Sequence, residues 1–466
     1  DDAYYIIGAR SLLQGSFSFL NRPQAPPILQ YWPGYPLLLA PWAALFPGSL
    51  PALQASSLLF TLGSLLLLAS SFAARLSPPG SAFLLFLCAF NPLTLAYCGS
   101  VMAEPAYLLL SLWAFKLSES WSGRFTLGKS VFFGLLLGFC ILVRPMGLAL
   151  ACAFILSRLR EGDKRRAFLW AALSAAAAGA WWLRNSLLSG GFPQAAEWAG
   201  MFGLSGGPAG GLAKNLLRNA AFYASAPGEL SFPPPFSPGS WRTFYSDAAA
   251  GLFWFGALAG LARCLREEGP GVLPLYLGFY AGMLLLWIHP DIRYLLPILP
   301  LLLWLYLKGL DSLASTLRVN LRAFALLPCL LIAAEAFSLA GKVSAPNRYN
   351  TPALRSYQRL RELVPADATI LCSMAGRVHL YTGRSTEEFP HLPDPSGFMA
   401  HLRRLRVSHV LLTREDFLES PGINAWDKAR AQAAPYLEDP GLFRVVYDDP
   451  GEEARIFELI RPREGR

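Results

Sequence analysis

Residues 129–166, KSVFFGLLLGFCILVRPMGLALACAFILSRLREGDKRR, decide how the whole chain is threaded. The stretch from Lys129 to Arg158 is apolar on both sides of Arg144 and Pro145, and it reads either as one long helix or as two short ones meeting at that dipeptide. Charge separates the two readings, because cytoplasmic loops collect Lys and Arg. With two helices, fourteen basic residues fall on one side of a membrane: Arg75; Lys116, Arg124 and Lys129; Arg158, Arg160, Lys164, Arg165 and Arg166; Arg263 and Arg266; Lys308, Arg318 and Arg322. The short turns opposite then hold one each, Arg144 and Arg293. With one helix, the two most basic early loops would face opposite sides. We therefore read two.

Working outward, runs of mostly apolar residues occur at about 51–73, 81–97, 102–116, 129–144, 145–158, 167–185, 247–264, 270–288, 293–308 and 322–340. Some fall short of the ~20 residues that a bilayer core needs, so their boundaries are soft. Composition agrees with this pattern. The 466 residues are 54% apolar and 15% charged, with a mean hydropathy of +0.37, against roughly 25% charged in soluble domains. A soluble globule is excluded, and lipid is the expected solvent for most of the chain. The net charge of +9 does not point to nucleic acid, because the basic residues sit in short loops instead of on one soluble face. The expected fold is an α-helical polytopic membrane protein of about ten spans. The seven cysteines form no disulfide framework or CxxC metal site, and most lie in or at the ends of apolar runs. The chain opens at Asp1 without a signal-type stretch, and one further span is expected upstream.

The same parity places three segments together on the outer face: residues 1–50, an insert at 186–246, and the tail from 341 to 466. The first reads as a short amphipathic helix (DDAYYIIGARSLLQG), a Pro-rich loop (NRPQAPPILQYWPG) and a second short apolar helix (YPLLLAPWAALF), both helices lying along the interface. The Gly- and Pro-rich insert (GLSGGPAGG, SFPPPFSPGS) reads as a mobile loop. After the membrane region of 51–340, charged residues return. The runs TILCS, HVLLT, FRVVY and RIFEL read as strands, and TPALRSYQRLRELV, FMAHLRRL and AWDKARAQAAPYL as helices. A small α/β domain outside the cytoplasm is expected there.

Chemistry-bearing residues gather at the outer ends of the apolar runs. Asp1 and Asp2 open an interfacial helix, whose N-terminus favours carboxylates; capping is the plain alternative. Glu104, in SVMAEPAYLL, stands where a carboxylate beside hydrocarbon is costly, though it also complements a helix N-terminus with Pro105 at the first helical position. Arg144 (LVRPMG), Arg184 (WWLRNS) and Arg293 (HPDIRYLLP) each end a run against the charge trend. Any one can snorkel harmlessly. Three together, beside Asp1, Asp2 and Glu104, point to a lipid phosphate at the membrane surface, which guanidinium forks bind in bidentate fashion. His289 and Asp291 flank Pro290 next to Arg293, and a lone His is more often structural than a metal ligand. HExxH, GxxxxGK[ST] and GxSxG are absent.

Read together, the order and spacing of DDAYYIIGARSLLQG, YWPGYPLLLAP, MAEPAYLLL, LVRPMG, WWLRNSLLSGGFP, HPDIRYLLPILP and VHLYTGR resemble the bacterial GT-C glycosyltransferases. These take sugar from a polyprenyl-phosphate donor, and the patterns of the protein O-mannosyltransferases and the aminoarabinose lipid A transferase are especially near. The resemblance covers nearly the whole chain. It implies an inverting transfer at the outer face of the bacterial inner membrane. The family's acidic pair, usually Asp then Glu, falls on Asp1 and Asp2, with Asp1 as general base on the acceptor hydroxyl and Asp2 shorter in reach than the usual Glu. Arg184, Arg293 and Arg144, with Tyr5, would hold the donor phosphate; Glu104, His289 and Tyr294 would position sugar or acceptor. The donor is a membrane lipid, the acceptor a lipid, glycan or protein. No nucleotide, cofactor or obligatory metal is implied, although one branch of the fold uses a divalent ion. The competing reading is a lipid-linked sugar flippase or other transporter, but no internal repeat is visible and the charges cluster at the outer mouth. A purely structural scaffold would leave the acidic pair without a purpose.

Overall fold

The computed structural model describes residues 2–122, 125–191, 208–233, 241–317, 322–343, 354–390, 397–413 and 433–460. Two units emerge: in the first, Asp2 groups with Leu29–Ala340, and in the second, Ala3–Ile28 joins Gly341–Arg466. In chain order the helices are α1 (Asp2–Leu13), α2 (Gly34–Leu45), α3 (Leu50–Ser71), α4 (Pro78–Ala89), α5 (Pro92–Cys98), α6 (Ala103–Ser120), α7 (Leu127–Val143), α8 (Gly147–Arg160) and α9 (Lys164–Ser189). They continue with α10 (Pro208–Ser231), α11 (Trp241–Glu268), α12 (Val272–Leu286), α13 (Leu299–Leu317) and α14 (Arg322–Val343). The second unit adds α15 (Leu354–Leu363), α16 (Ala375–Thr382), α17 (Gly397–Arg404) and five strands.

The helix does break where charge required it. Pro145 disfavours the helical region for the residue before it, and Arg144 is extended (φ −149°, ψ 139°) between α7 and α8. Gly147 then folds back so tightly that a Cβ there would lie 2.4 Å from the Cys140 carbonyl carbon. Small residues also set the helix crossings, as they do where apolar helices pack without a hydrophobic driving force. A Cβ on Gly260 would come within 1.9 Å of the Leu305 carbonyl oxygen, and one on Gly309 within 1.9 Å of the Gly256 oxygen, so the backbones of α11 and α13 touch. Arg75, in the 3-10 turn after α3, lines one cavity with Arg263 of α11 and Lys308 of α13.

Several expectations are corrected. The run at 81–97 is two helices bent by 52°, because Asn91 caps α5, accepting from the Leu93 N–H at 3.0 Å, and Pro92 brings no N–H to the first turn. The insert at 186–246 is not simply a loop. It contains α10, whose Asn219 amide donates to the carbonyls of Leu284, Leu285 and Trp287 at 3.1, 2.9 and 2.6 Å, while 192–207 and 234–240 lie outside the described residues. The run at 293–308 starts as a 3-10 turn, Ile292–Leu295, before α13. Among the described residues, Leu50–Arg75 and Tyr245–Glu267 are each long and apolar enough to cross a membrane, with the bent α4–α5 pair as a third. The seven cysteines are thiols, none of them in a disulfide.

In the second unit the sheet runs β2–β1–β3–β5–β4, from β1 (Thr369–Leu371), β2 (Ser385–Glu387), β3 (Val407–Leu412), β4 (Phe443–Asp449) and β5 (Ala454–Leu459). β1 is parallel to β2 and β3, β5 is antiparallel to β3, and β4 to β5. Alternation splits the core into two layers. Leu371, Val410 and Phe457 pack with Phe398 and Leu402 of α17, while Ile370, Leu411 and Ile456 pack with Tyr357 and Leu360 of α15. All four expected strands are present; β2 and α16 were not foreseen. Of the expected helix at 425–437, only 433–437 lies among the described residues. The open side of β2 is covered by residues 16–28, where the Thr386 N–H donates to the Asn21 carbonyl at 2.6 Å.

Candidate active site

Glu104 occupies the first turn of α6, where unpaired backbone N–H groups favour a carboxylate, and it is 0% exposed. A buried charge needs a partner. Arg144 supplies one: its Nη1 pairs with Glu104 Oε1. Arg293 Nε lies 3.8 Å from the same oxygen and 3.0 Å from Asp291 Oδ2. Both guanidinium groups also flank the Tyr294 ring, at 5.2 Å and 5.3 Å from its centroid. Side-chain exposure rises from 12% at Arg144 through 20% at Arg293 to 39% at Asp291, so the cluster opens to solvent on the Asp291 side. Burial works against the Arg293 charge, but Tyr294 and the two carboxylates outweigh it and hold the guanidinium more firmly protonated.

Hydrogen bonds to backbone carbonyls fix the turns that carry these arginines. Tyr107 donates to the Met146 carbonyl at 3.0 Å and meets the Tyr276 hydroxyl at 3.2 Å; Tyr280 donates to the Tyr294 carbonyl at 2.7 Å. From α10, Arg218 donates to the Ile288 carbonyl at 2.8 Å, and the Tyr223 hydroxyl bridges the Asp291 N–H and C=O at 3.2 and 3.3 Å. At the other end of the same helix, the Leu230 carbonyl accepts from Asn91 at 2.8 Å. Tyr107, Asn219, Tyr223 and Tyr280 carried no signal in the sequence, because their partners are main-chain groups on other elements, from 14 to 68 positions away.

Of the anticipated residues, Glu104, Arg144, Arg293 and Tyr294 are brought together, with Asp291 added. Asp1 lies outside the described residues. Asp2 is open to solvent on one side; desolvation by the protein around it raises its carboxyl above the ordinary range, the Glu104 charge adds to the rise, and the backbone of Val101 opposes it. Arg184 is held by other neighbours: it donates to Asn185 Oδ1 at 2.9 Å and stands 4.9 Å over the Trp181 ring, beside Trp32. Tyr5, half-buried on α1, belongs to the other unit, and His289 is exposed. Among the described residues no group of three His, Cys, Asp or Glu side chains is placed to hold a metal ion.

No protein-family model and no curated protein matches this sequence. The fold nevertheless has solved counterparts. Both of those compared are ArnT from Cupriavidus metallidurans. The structure bound to undecaprenyl phosphate is 13% identical, covering 100% of this chain and 95% of that one, with a TM-score of 0.57. The apo structure is also 13% identical, covering 99% and 93%, with a TM-score of 0.59. At this identity the likeness is one of fold.

Proposed function

We propose that the chain is an integral glycosyltransferase of the bacterial inner membrane. It moves a sugar from a polyprenyl-phosphate donor to an acceptor hydroxyl on the outer face. The observation that carries this reading is the convergence of Arg144 and Arg293, from turns about 150 positions apart, on the buried Glu104. It occurs in a fold whose solved counterpart was captured with undecaprenyl phosphate. Two guanidinium groups held in fixed turns suit a phosphate that gains charge as it leaves.

In the reaction, Asp1 takes the proton of the acceptor hydroxyl as that oxygen forms its bond to the anomeric carbon. The bond from that carbon to the phosphate oxygen breaks on the opposite face, and the polyprenyl phosphate leaves as an anion, with inversion. A positioned base contributes ~10² to 10⁴ in rate, and orientation and phosphate stabilisation supply the remainder. Asp2 follows the base in sequence, and the resemblance adds Arg184 and Tyr5 as further donor-binding candidates. About ten spans place these groups and the C-terminal domain outside the cytoplasm. The route needs no nucleotide and no obligatory metal, and the acceptor is a lipid, a glycan or a protein.

The test is release of polyprenyl phosphate from a panel of polyprenyl-phosphate sugars by the detergent-purified protein, alongside an Asp1→Asn variant. Release that the variant loses supports donor class and base together. A folded protein that neither binds nor cleaves any donor would overturn the proposal and favour lipid-sugar transport.

A further inference from the structure

The start of α1 is clamped by the C-terminal domain. Tyr4 donates its hydroxyl to Glu388, just beyond β2, and Arg22 lies 3.7 Å from Glu388 and 3.7 Å from Glu387. Arg22 also stands 4.7 Å over the Phe19 ring, and Phe19 meets Tyr4 edge-on at 5.5 Å. Below them, Asn21 and Thr386 are wholly buried and joined side chain to side chain and backbone to backbone. Gly376 of α16 leaves so little room that a Cβ there would lie 2.9 Å from the Ala3 Cβ. Burial, with the Glu388 charge beside it, raises the Tyr4 phenol and keeps it a neutral donor.

Asn21 covers the edge of β2, but the Tyr4, Arg22 and Ala3 contacts lie outside the two core layers of the sheet. The Tyr4 and Ala3 contacts fasten the chain immediately after the acidic pair, and Arg22, beside Glu387 and Glu388, completes the clamp. A helix fixed at Ala3 and Tyr4 has its first residue, Asp2, fixed in direction as well, and a catalytic group misplaced by an ångström loses about 10²-fold in rate. We infer that Glu388, Tyr4 and Arg22 are positioning residues, through which the C-terminal domain orients the start of α1 at Asp2, next in sequence to the proposed base. This inference rests on the glycosyl-transfer reading for its kinetic half.

Two measurements on the full chain in detergent test it: hydrogen exchange by mass spectrometry, and kcat with donor KM. Tyr4→Phe and Glu388→Ala are expected to raise exchange in residues 3–13 by about 10- to 100-fold, the loss of a hydrogen bond to a charged group. β1 and β3 are expected to exchange as in the wild type. The same variants should lower kcat by about 10- to 100-fold with donor KM within about twofold, and Glu388→Gln, whose amide oxygen still accepts from Tyr4, should recover part of the rate. Unchanged exchange in residues 3–13 overturns the inference whether or not the enzyme is active. Raised exchange with unchanged kcat in an active enzyme overturns it too. A wild type inactive on every donor sinks the glycosyl-transfer reading instead, and the exchange arm alone then decides the clamp.

Discussion

Replacing Glu104 by Gln keeps the shape of a fully buried side chain and removes its charge, which leaves two guanidinium groups facing an amide. Breaking a buried ion pair by removing one partner costs about 3–5 kcal/mol. Here part of the cost is offset: Arg293 keeps Asp291 at 3.0 Å, and Arg144 keeps the Tyr294 face at 5.2 Å, a contact worth about 0.5–2 kcal/mol. We therefore expect Glu104→Gln to lose about 2–3 kcal/mol. Thermal unfolding in detergent measures this, together with the double variant Glu104→Gln/Arg144→Met. Removing both charges should recover at least about 1 kcal/mol, because the penalty lies in the uncompensated guanidinium. A second readout separates site from scaffold. With their carboxylate gone, the arginines should bind undecaprenyl phosphate more tightly even as the fold weakens. Wild-type stability in the single variant, or strict additivity in the double, would refute the electrostatic account; unchanged or weaker phosphate binding would refute the role given to the cluster.

Three further outcomes follow from the geometry. Gly309→Leu should abolish folded protein and Gly309→Ala should cost at least about 1–3 kcal/mol as overpacking, read by size-exclusion yield and thermal unfolding, since any Cβ there meets the α11 backbone. Asn219→Ala should destabilise by about 1–3 kcal/mol and raise hydrogen exchange in residues 284–294, because three carbonyls lose one donor; unchanged exchange in that turn would count against the tie. Burial lowers the imidazoles of His379, His401 and His409 below 6.5, so between the lowered folded values and that pH the unfolded chain binds more protons. The C-terminal domain should be most stable above about pH 6.5 and lose stability as pH falls through the folded values, which exchange in β1 and β3 at pH 7.5 and 5.5 would show or contradict.

What was legible in the sequence was whatever costs free energy if misplaced. A charge at the end of an apolar run is expensive, and this singled out Glu104, Arg144 and Arg293 before any of them had a known neighbour. The break at Arg144 and Pro145 was legible from loop charge alone. The four apolar strands announced themselves as short β-branched runs, but β2, the residues STE at 385–387, has no apolar pattern; it is a strand because of its pairing with β1 and its cover from Asn21. The helix α10 was hidden by the glycines and prolines on either side of it. Its residues Asn219 and Tyr223 bond main-chain carbonyls about 65 positions away, and a contact of that kind leaves no periodicity or motif to read.

The ties that escaped the sequence explain why the legible charges can act together. An arginine on a free turn would reorganise as charge develops on a leaving phosphate, and the cost of that reorganisation would be taken from the stabilisation it provides. Here the turn bearing Arg293 is held by Tyr280, Tyr223, Arg218 and Asn219 from two helices, and the turn bearing Arg144 by Tyr107 and the tight return at Gly147. Glu104 sits on α6, and it cannot follow either arginine outward. The two guanidinium groups are thus fixed by the backbone while their carboxylate compensates them from the buried side, leaving the exposed side, where Asp291 stands, as the direction from which an anion can approach. Hydrophobic threading brings the three charges to one end of the helical unit, and buried hydroxyl and amide donors turn that proximity into a fixed electrostatic site.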